Sequence, residues 1–174
     1  MQSRRSHEQR LVGAALLLAL LATAAPSGAR GVWVRRADMP TPRVTLSTAV
    51  VDGRIYAIGG GAYVMDANAE VEVYDPATDS WTRKAAMPTA RGFLATAVVE
   101  GRIYAIGGER WEGEIPTTRI ASLGTVEMYD PGTDTWIPKA SMLTPRSELA
   151  ASVPDGRIYA IGGLLMDGSA TPSV

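Results

Sequence analysis

The segment Gly-Arg-Ile-Tyr-Ala-Ile-Gly-Gly occurs three times in this chain, ending at Gly60, Gly108 and Gly163. A longer frame repeats around it. Met39-Pro40-Thr41-Pro42-Arg43, Met87-Pro88-Thr89-Ala90-Arg91 and Met142-Leu143-Thr144-Pro145-Arg146 each lead through an apolar run to that segment. Residues 71–86 and 126–141, both opening Val-Glu-x-Tyr-Asp-Pro and carrying a Trp and then a Lys further on, lie between the copies. The arginines fall 48 and then 55 residues apart. A period of about 50 marks a row of like supersecondary units, each packing on its neighbours, of the propeller kind.

Each unit reads as four short strands. Residues 46–51, 94–99 and 149–153 form the first. Asp52-Gly53, Glu100-Gly101 and Asp155-Gly156 follow, where a tight type I′ hairpin needs positive φ at both central residues. Residues 54–58 form the second strand, and Ile55, Tyr56, Ala57 and Ile58 are apolar without alternation. That pattern implies burial on both sheet faces, as in a blade held between two others. Residues 70–74 and 81–84 are the third and fourth strands, joined by the turn formers of 75–79.

The doublets Gly59-Gly60, Gly107-Gly108 and Gly162-Gly163 permit close backbone approach. Tyr74, Tyr129, Trp81 and Trp136 bring large apolar area to pack between units. None of the doublets is a phosphate loop: Gly59-Gly60-Gly61 would need glycine at 64, where Val64 stands. An apolar strand, a Gly-Gly doublet, a Tyr and then a Trp resemble the motif of the kelch family. The likeness covers nearly all of residues 33–163 in three copies. It implies an all-β, kelch-type β-propeller fragment with one four-stranded blade per repeat and the first strand nearest the central axis.

The expected organisation runs as follows. Residues 33–36 precede the first Met-Pro-Thr-Pro-Arg as Trp81 precedes the second, and read as a lone fourth strand. Blade one occupies 44–86, blade two 92–141, a half blade 147–163 and a tail 164–174, within kelch repeats spanning 31–174. Propellers close with about four to eight blades. Missing blades or a second copy are therefore expected to complete the ring. Upstream, Arg4, Arg5 and Arg10 precede an apolar run of 15 residues, 11–25, and small residues follow it. The run falls short of the roughly 20 residues that span a bilayer. Residues 1–29 read as a secretory signal peptide cleaved after Ala29, leaving no stable membrane span. With no cysteine there is neither a lipoprotein anchor nor a disulfide, and the expected location is secreted or periplasmic.

Removal of residues 1–29 leaves 14 basic and 17 acidic side chains without a basic stripe, so nucleic acid is not an expected partner. The only histidine is His7, in the leader. That excludes a Ser-His-Asp triad and the copper chemistry of galactose oxidase, another user of the fold. No metal or cofactor is expected, and no catalytic residue is assigned.

Recognition is expected on the variable loops, since rigid scaffolds carry function there. The longest, 109–125, holds Glu109, Arg110, Trp111, Glu112, Glu114 and Arg119, suited to a sugar ring or a protein surface. Arg43, Arg91 and Arg146 recur before each first strand. Two readings stand for them: a guanidinium ring at the channel mouth that takes an anion, or architectural bonds to backbone carbonyls, which recurrence favours. Asp66, Asn68 and Glu70 alternate like part of a calcium loop but lack its Gly and terminal Glu, and read as loop chemistry. The expected function is a binding module for protein or carbohydrate. The alternative, implied by resemblance to exported sialic acid mutarotases, is a fragment of a metal-independent sugar enzyme using Arg91 or Arg146 with Glu148 for acid/base work.

Overall fold

The computed structural model describes residues 31–63, 66–112 and 119–174; residues 1–29, read above as a signal peptide, and Glu114 lie outside them. Residues 36–174 form one compact unit, and 31–35 belong to another. Blade one is a four-stranded antiparallel sheet, β1 (Ser47–Val51), β2 (Arg54–Ile58), β3 (Val71–Asp75) and β4 (Ser80–Lys84), in that spatial order. Blade two repeats it with β5 (Ala95–Val99), β6 (Arg102–Ile106), β9 (Val126–Asp130) and β10 (Thr135–Lys139). Between β6 and β9 a separate hairpin, β7 (Glu109–Glu112) and β8 (Arg119–Ser122), rises from the stretch read as a loop. The half blade is β11 (Ala150–Ser152) paired with β12 (Tyr159–Ile161). Among the described residues no helix is long and apolar enough to cross a membrane.

The turns obey their sequences. Asp52 and Gly53 sit at φ 50° and 73°, and Glu100 and Gly101 at 49° and 73°, as the type I′ hairpin requires. In the third copy Pro154 replaces Val51. Proline has no N–H to give the ladder, so β11 stops at Ser152 and a 3₁₀ turn spans Pro154–Gly156. Residues 33–36 are not a strand. A fourth strand exists only where a third offers it a ladder, and the two described third strands already hold β4 and β10.

Tyr56, Ala57 and Ile58 on β2 are all buried, which explains their lack of alternation. The first strands of successive blades, β1 with β5 and β5 with β11, lie against one another, whereas β4 and β10 make no comparable contact. The blades therefore converge at their first strands and splay at their fourth. Between blades one and two lies a core that includes Tyr56, Ile58, Val71, Met87, Ile103 and Tyr129. Trp136 closes its outer side, donating its indole N–H to the Ala85 carbonyl at 2.9 Å. Asp134 accepts both the Tyr129 hydroxyl, at 2.6 Å, and the Ala85 N–H, at 2.9 Å. One carboxylate thus ties an aromatic of blade two to the backbone of blade one. Asp79, Tyr74, Trp81 and Ala37 repeat the same bonds one blade earlier.

The doublets are where blades meet. Gly60 N–H donates to the Arg91 carbonyl and Gly108 N–H to the Arg146 carbonyl, both at 3.0 Å. A Cβ on Gly59 would stand 2.5 Å from the Arg91 oxygen, and one on Gly107 2.6 Å from that of Arg146. Only glycine tolerates such an approach together with a positive φ.

Candidate functional site

The connections that end the second strands and begin the first strands crowd one end of the blades. Three residues there share an uncommon backbone: Thr45, Phe93 and Glu148 have φ of 58°, 52° and 52°. Each stands two residues after the recurring arginine and one before a leucine, Leu46, Leu94 or Leu149. Their main chains join laterally, Phe93 N–H to the Thr45 carbonyl at 2.8 Å and Glu148 N–H to the Phe93 carbonyl at 2.9 Å. A non-glycine residue held left-handed costs roughly 1–3 kcal/mol and persists where its surroundings fix it. Here the lateral ladder fixes it, and the three side chains follow one another around the converging first strands.

Glu109, the first residue of β7, lies beside this row. Its carboxylate is buried and accepts the Ser147 hydroxyl at 2.9 Å. Burial raises its pKa, the Ser147 hydrogen bond lowers it, and the nearby Glu148 charge raises it again, with burial dominant. Glu148 itself is exposed, Phe93 and Thr45 are half-buried, and Tyr63 and Met166 stand out from the flanking loops. An aromatic face and an open carboxylate are thereby gathered at one end of the blades beside the buried Glu109 carboxylate, while the Thr45 hydroxyl oxygen is itself buried. Such a set can stack on an apolar ring face and accept hydrogen bonds from hydroxyl or amide groups.

The recurring arginines lie elsewhere. Arg43, Arg91 and Arg146 are 9%, 0% and 6% exposed. Arg43 donates to the carbonyls of Gly59 and Glu70, both at 2.8 Å, and pairs with Glu72 at 2.8 Å. Arg91 donates to the Ala105 carbonyl at 3.1 Å and pairs with Glu127 at 2.6 Å. Arg146 donates to the carbonyls of Gly162 and Ser173, both at 3.1 Å. Of the two readings, carbonyl bonding is what the geometry displays, with each side chain bonding its own blade and the backbone carbonyls of Arg91 and Arg146 serving the preceding one. The three guanidiniums do not line an open anion ring: the second and third strands enclose Arg43 and Arg91, and Gly162 and Ser173 hold Arg146 in the half blade. For the same reason Arg91 and Arg146 are not presented beside Glu148 for acid/base work.

The long connection keeps part of its expected character. Glu112 and Arg119 are cross-strand partners on the β7–β8 hairpin, Trp111 is opposite Ile120, and Arg110 is opposite Ala121 and exposed. Asp66 accepts the Ala62 N–H and Asn68 the Glu70 N–H, while the Glu70 carboxylate pairs with Arg83 at 3.2 Å. These groups close their own loop. Thr45 and Phe93 were not singled out by residue type. The signal that locates them is positional: in the frame Arg-x-x-Leu the central pairs are Val44-Thr45, Gly92-Phe93 and Ser147-Glu148. The frame is constant and its two inner residues are not.

Comparison with known proteins agrees with this architecture. The Kelch motif family model matches residues 42–88 and 90–143. The Danio rerio protein Kelch-like ECH-associated protein 1B is 32% identical over 133 residues, which are 76% of this chain and 14% of that protein. The solved structure of YjhT superposes with a TM-score of 0.62 at 23% identity, over 76% of this chain and 37% of that one. The chain thus spans well under half the length of either, and at that identity the structural likeness concerns the fold.

Proposed function

The chain belongs to the kelch motif family, and from that premise we propose that it is an exported propeller module that binds a protein or a glycan at the end of the blades bearing Thr45, Phe93 and Glu148. One observation carries the reading: a fixed, laterally bonded backbone presents a different side chain from each repeat at the same place. A scaffold that varies only its displayed groups is suited to selecting a ligand. The β7–β8 hairpin, with Arg110, Trp111, Glu112 and Arg119 along its strands, starts at Glu109 beside this row.

The test is direct binding of the purified chain to arrayed glycans and to candidate proteins of its own compartment, followed by Phe93→Ala and Glu148→Ala. Stacking and a charge-assisted hydrogen bond each contribute on the order of 1–3 kcal/mol, so each change is expected to weaken binding roughly tenfold or more. Retention of full affinity by both variants overturns the site. Export is tested by the N-terminus of protein recovered outside the cytoplasm, expected at Arg30. A protein found with residues 1–29 intact in the cytoplasm removes that part of the reading.

A further inference from the structure

One flank of blade one keeps a polar cleft against blade two. Side chains alternate along a strand, so Arg54 and Tyr56 on β2, Val73 and Asp75 on β3, and Thr82 and Lys84 on β4 share one face. The register lines them up, with Tyr56 opposite Val73 and Val73 opposite Thr82. Ile58 and Val71, on the same face, enter the core between the two blades. Toward the hairpin ends of the strands that apolar packing gives out. The face there opens into a cavity of about 260 Å³, lined from blade two by Pro131 in the turn after β9.

The polar groups of this cleft are incompletely used. Tyr56 is 4% exposed, its ring 5.9 Å from that of Tyr129, and among the described residues its hydroxyl has no hydrogen-bond partner. The Tyr74 and Tyr129 hydroxyls, by contrast, are each taken by an aspartate. Burial raises the Tyr56 pKa, so the group stays a donor at neutral pH. Lys84 is half-buried and makes no ion pair among the described residues. Its charge helps to hold down the Asp134 carboxyl, but that carboxylate already accepts the Tyr129 hydroxyl and the Ala85 N–H. Arg54 engages Asp75 through Nε at 3.1 Å. The Thr78 and Ser80 hydroxyls bond each other at 2.7 Å, and Thr82 adds a third. The repeat itself does not require this polarity: where blade one has Val73 and Thr82, blade two has Met128 and Ile137.

Arg54 and Asp75 offset each other, which leaves one uncompensated positive charge, a buried donor and three hydroxyls around the cavity. Such a set suits a single anionic group on a body rich in hydroxyls. A dianion such as sulfate brings a second charge against Asp75, and an apolar body leaves the Tyr56 hydroxyl unpaired. We propose that the cleft binds a sugar acid, one pyranose ring bearing one carboxylate. The carboxylate takes the Tyr56 hydroxyl and the Lys84 ammonium, and the ring hydroxyls exchange hydrogen bonds with Thr82, Ser80 and Asp75. The cleft lies at the opposite end of blade one from Thr45: Val44 bridges to Gly61, beyond the end of β2, whereas Arg54 begins that strand. Binding here is therefore separate from binding at the Thr45, Phe93 and Glu148 row.

The probe is D-glucuronate, titrated into the full chain by calorimetry and followed in parallel by amide NMR. Saturable binding with a Kd on the order of 1 mM is expected, with shifts concentrated in β2, β3, β4 and the turn after β9. D-glucose, of similar size and without the charge, is expected to bind at least about tenfold more weakly. Tyr56→Phe removes an unpartnered hydroxyl and keeps the ring, so the fold is retained, and glucuronate binding is expected to weaken roughly fivefold or more. Lys84→Gln is expected to weaken it about tenfold and to erase most of the advantage over glucose. Four outcomes overturn the proposal: absence of saturation, equal affinity for glucuronate and glucose, sulfate binding as tightly as glucuronate, or undiminished glucuronate binding by both variants.

Discussion

A guanidinium and a carboxylate in contact mean different things at the rim and in the wall of a blade. Arg54 and Asp75 pair at 3.1 Å with the arginine half-exposed, and water offers both groups nearly as much as they offer each other. Arg91 and Glu127 are enclosed, and neither can be removed without leaving its partner charged in a dry site. Arg91→Met or Glu127→Ala is therefore expected to cost about 3–5 kcal/mol, whereas Arg54→Ala stays within about 1 kcal/mol. Urea unfolding of the three variants measures the contrast, and equal losses would contradict it. Asp134 adds a pH dependence. Its pKa is held down chiefly by the Tyr129 hydroxyl, then by the Ala85 N–H. A depressed folded pKa gives stability that is complete above the unfolded value of about 3.9 and is lost as pH falls through the folded one. Glu109 has the opposite sign. Its folded pKa is raised by burial, so the native state holds the proton more tightly. The stability it contributes is present below about 4.3 and disappears as pH rises through the folded value. Glu109→Gln is accordingly expected to raise the melting temperature at pH 7 by a few degrees at most and to leave it unchanged near pH 3. Thermal melts at the two pH values decide this, and a lower Tm at pH 7 would contradict it.

Among the elements, the hairpin turn and the glycine doublet both use glycine, under different constraints. Gly53 has φ +73° with open space around the missing Cβ. Gly60 has φ +84°, and a Cβ there would strike the Val44 carbonyl and the Leu46 backbone. Gly53→Ala thus meets only the left-handed penalty of about 1–2 kcal/mol, while Gly60→Ala adds a displacement of the first strand. The second variant is expected to lose clearly more stability, by several kcal/mol, as read by chemical denaturation. The same contrast shows what was legible in advance. The second strands of blades one and two were readable to the residue, since an unbroken apolar run before Gly-Gly leaves no other register, whereas the third copy, expected over 157–161, shortens to Tyr159–Ile161 behind the Pro154 turn. The β7–β8 hairpin was not, because its arms carry Glu109, Arg110, Glu112 and Arg119 in place of an alternating apolar face. Arg43, Arg91 and Arg146 were visible as recurrent, yet recurrence alone does not reveal which strands enclose them. Thr45, Phe93 and Glu148 share no chemistry at all. Only their common φ, supplied by the ladder between blades, makes them one set.

At the scale of the whole repeat unit, stability is distributed along a line. Each blade touches its neighbours only, so local opening follows the quality of each junction. Blades one and two share a wide core whose members include the fully buried Val71, Ile103 and Tyr129. Blade two and the half blade share a thinner one built on Ala95, Ala97, Ile106 and Leu149. Tyr159 and Ile161 on β12 are each 39% exposed, against 4% and 0% for their counterparts Tyr56 and Ile58. Blade two is in addition fastened to Ala85 by the aspartate-tyrosine-tryptophan clasp. Native-state hydrogen exchange should therefore rank the amides: β11 and β12 fastest, then β1, with β2, β3 and β6 slowest and close to the global unfolding limit. Uniform protection across β2, β6 and β12 would mean that the junctions are equally strong. It would contradict the view that each blade is held mainly by what the next one packs against it.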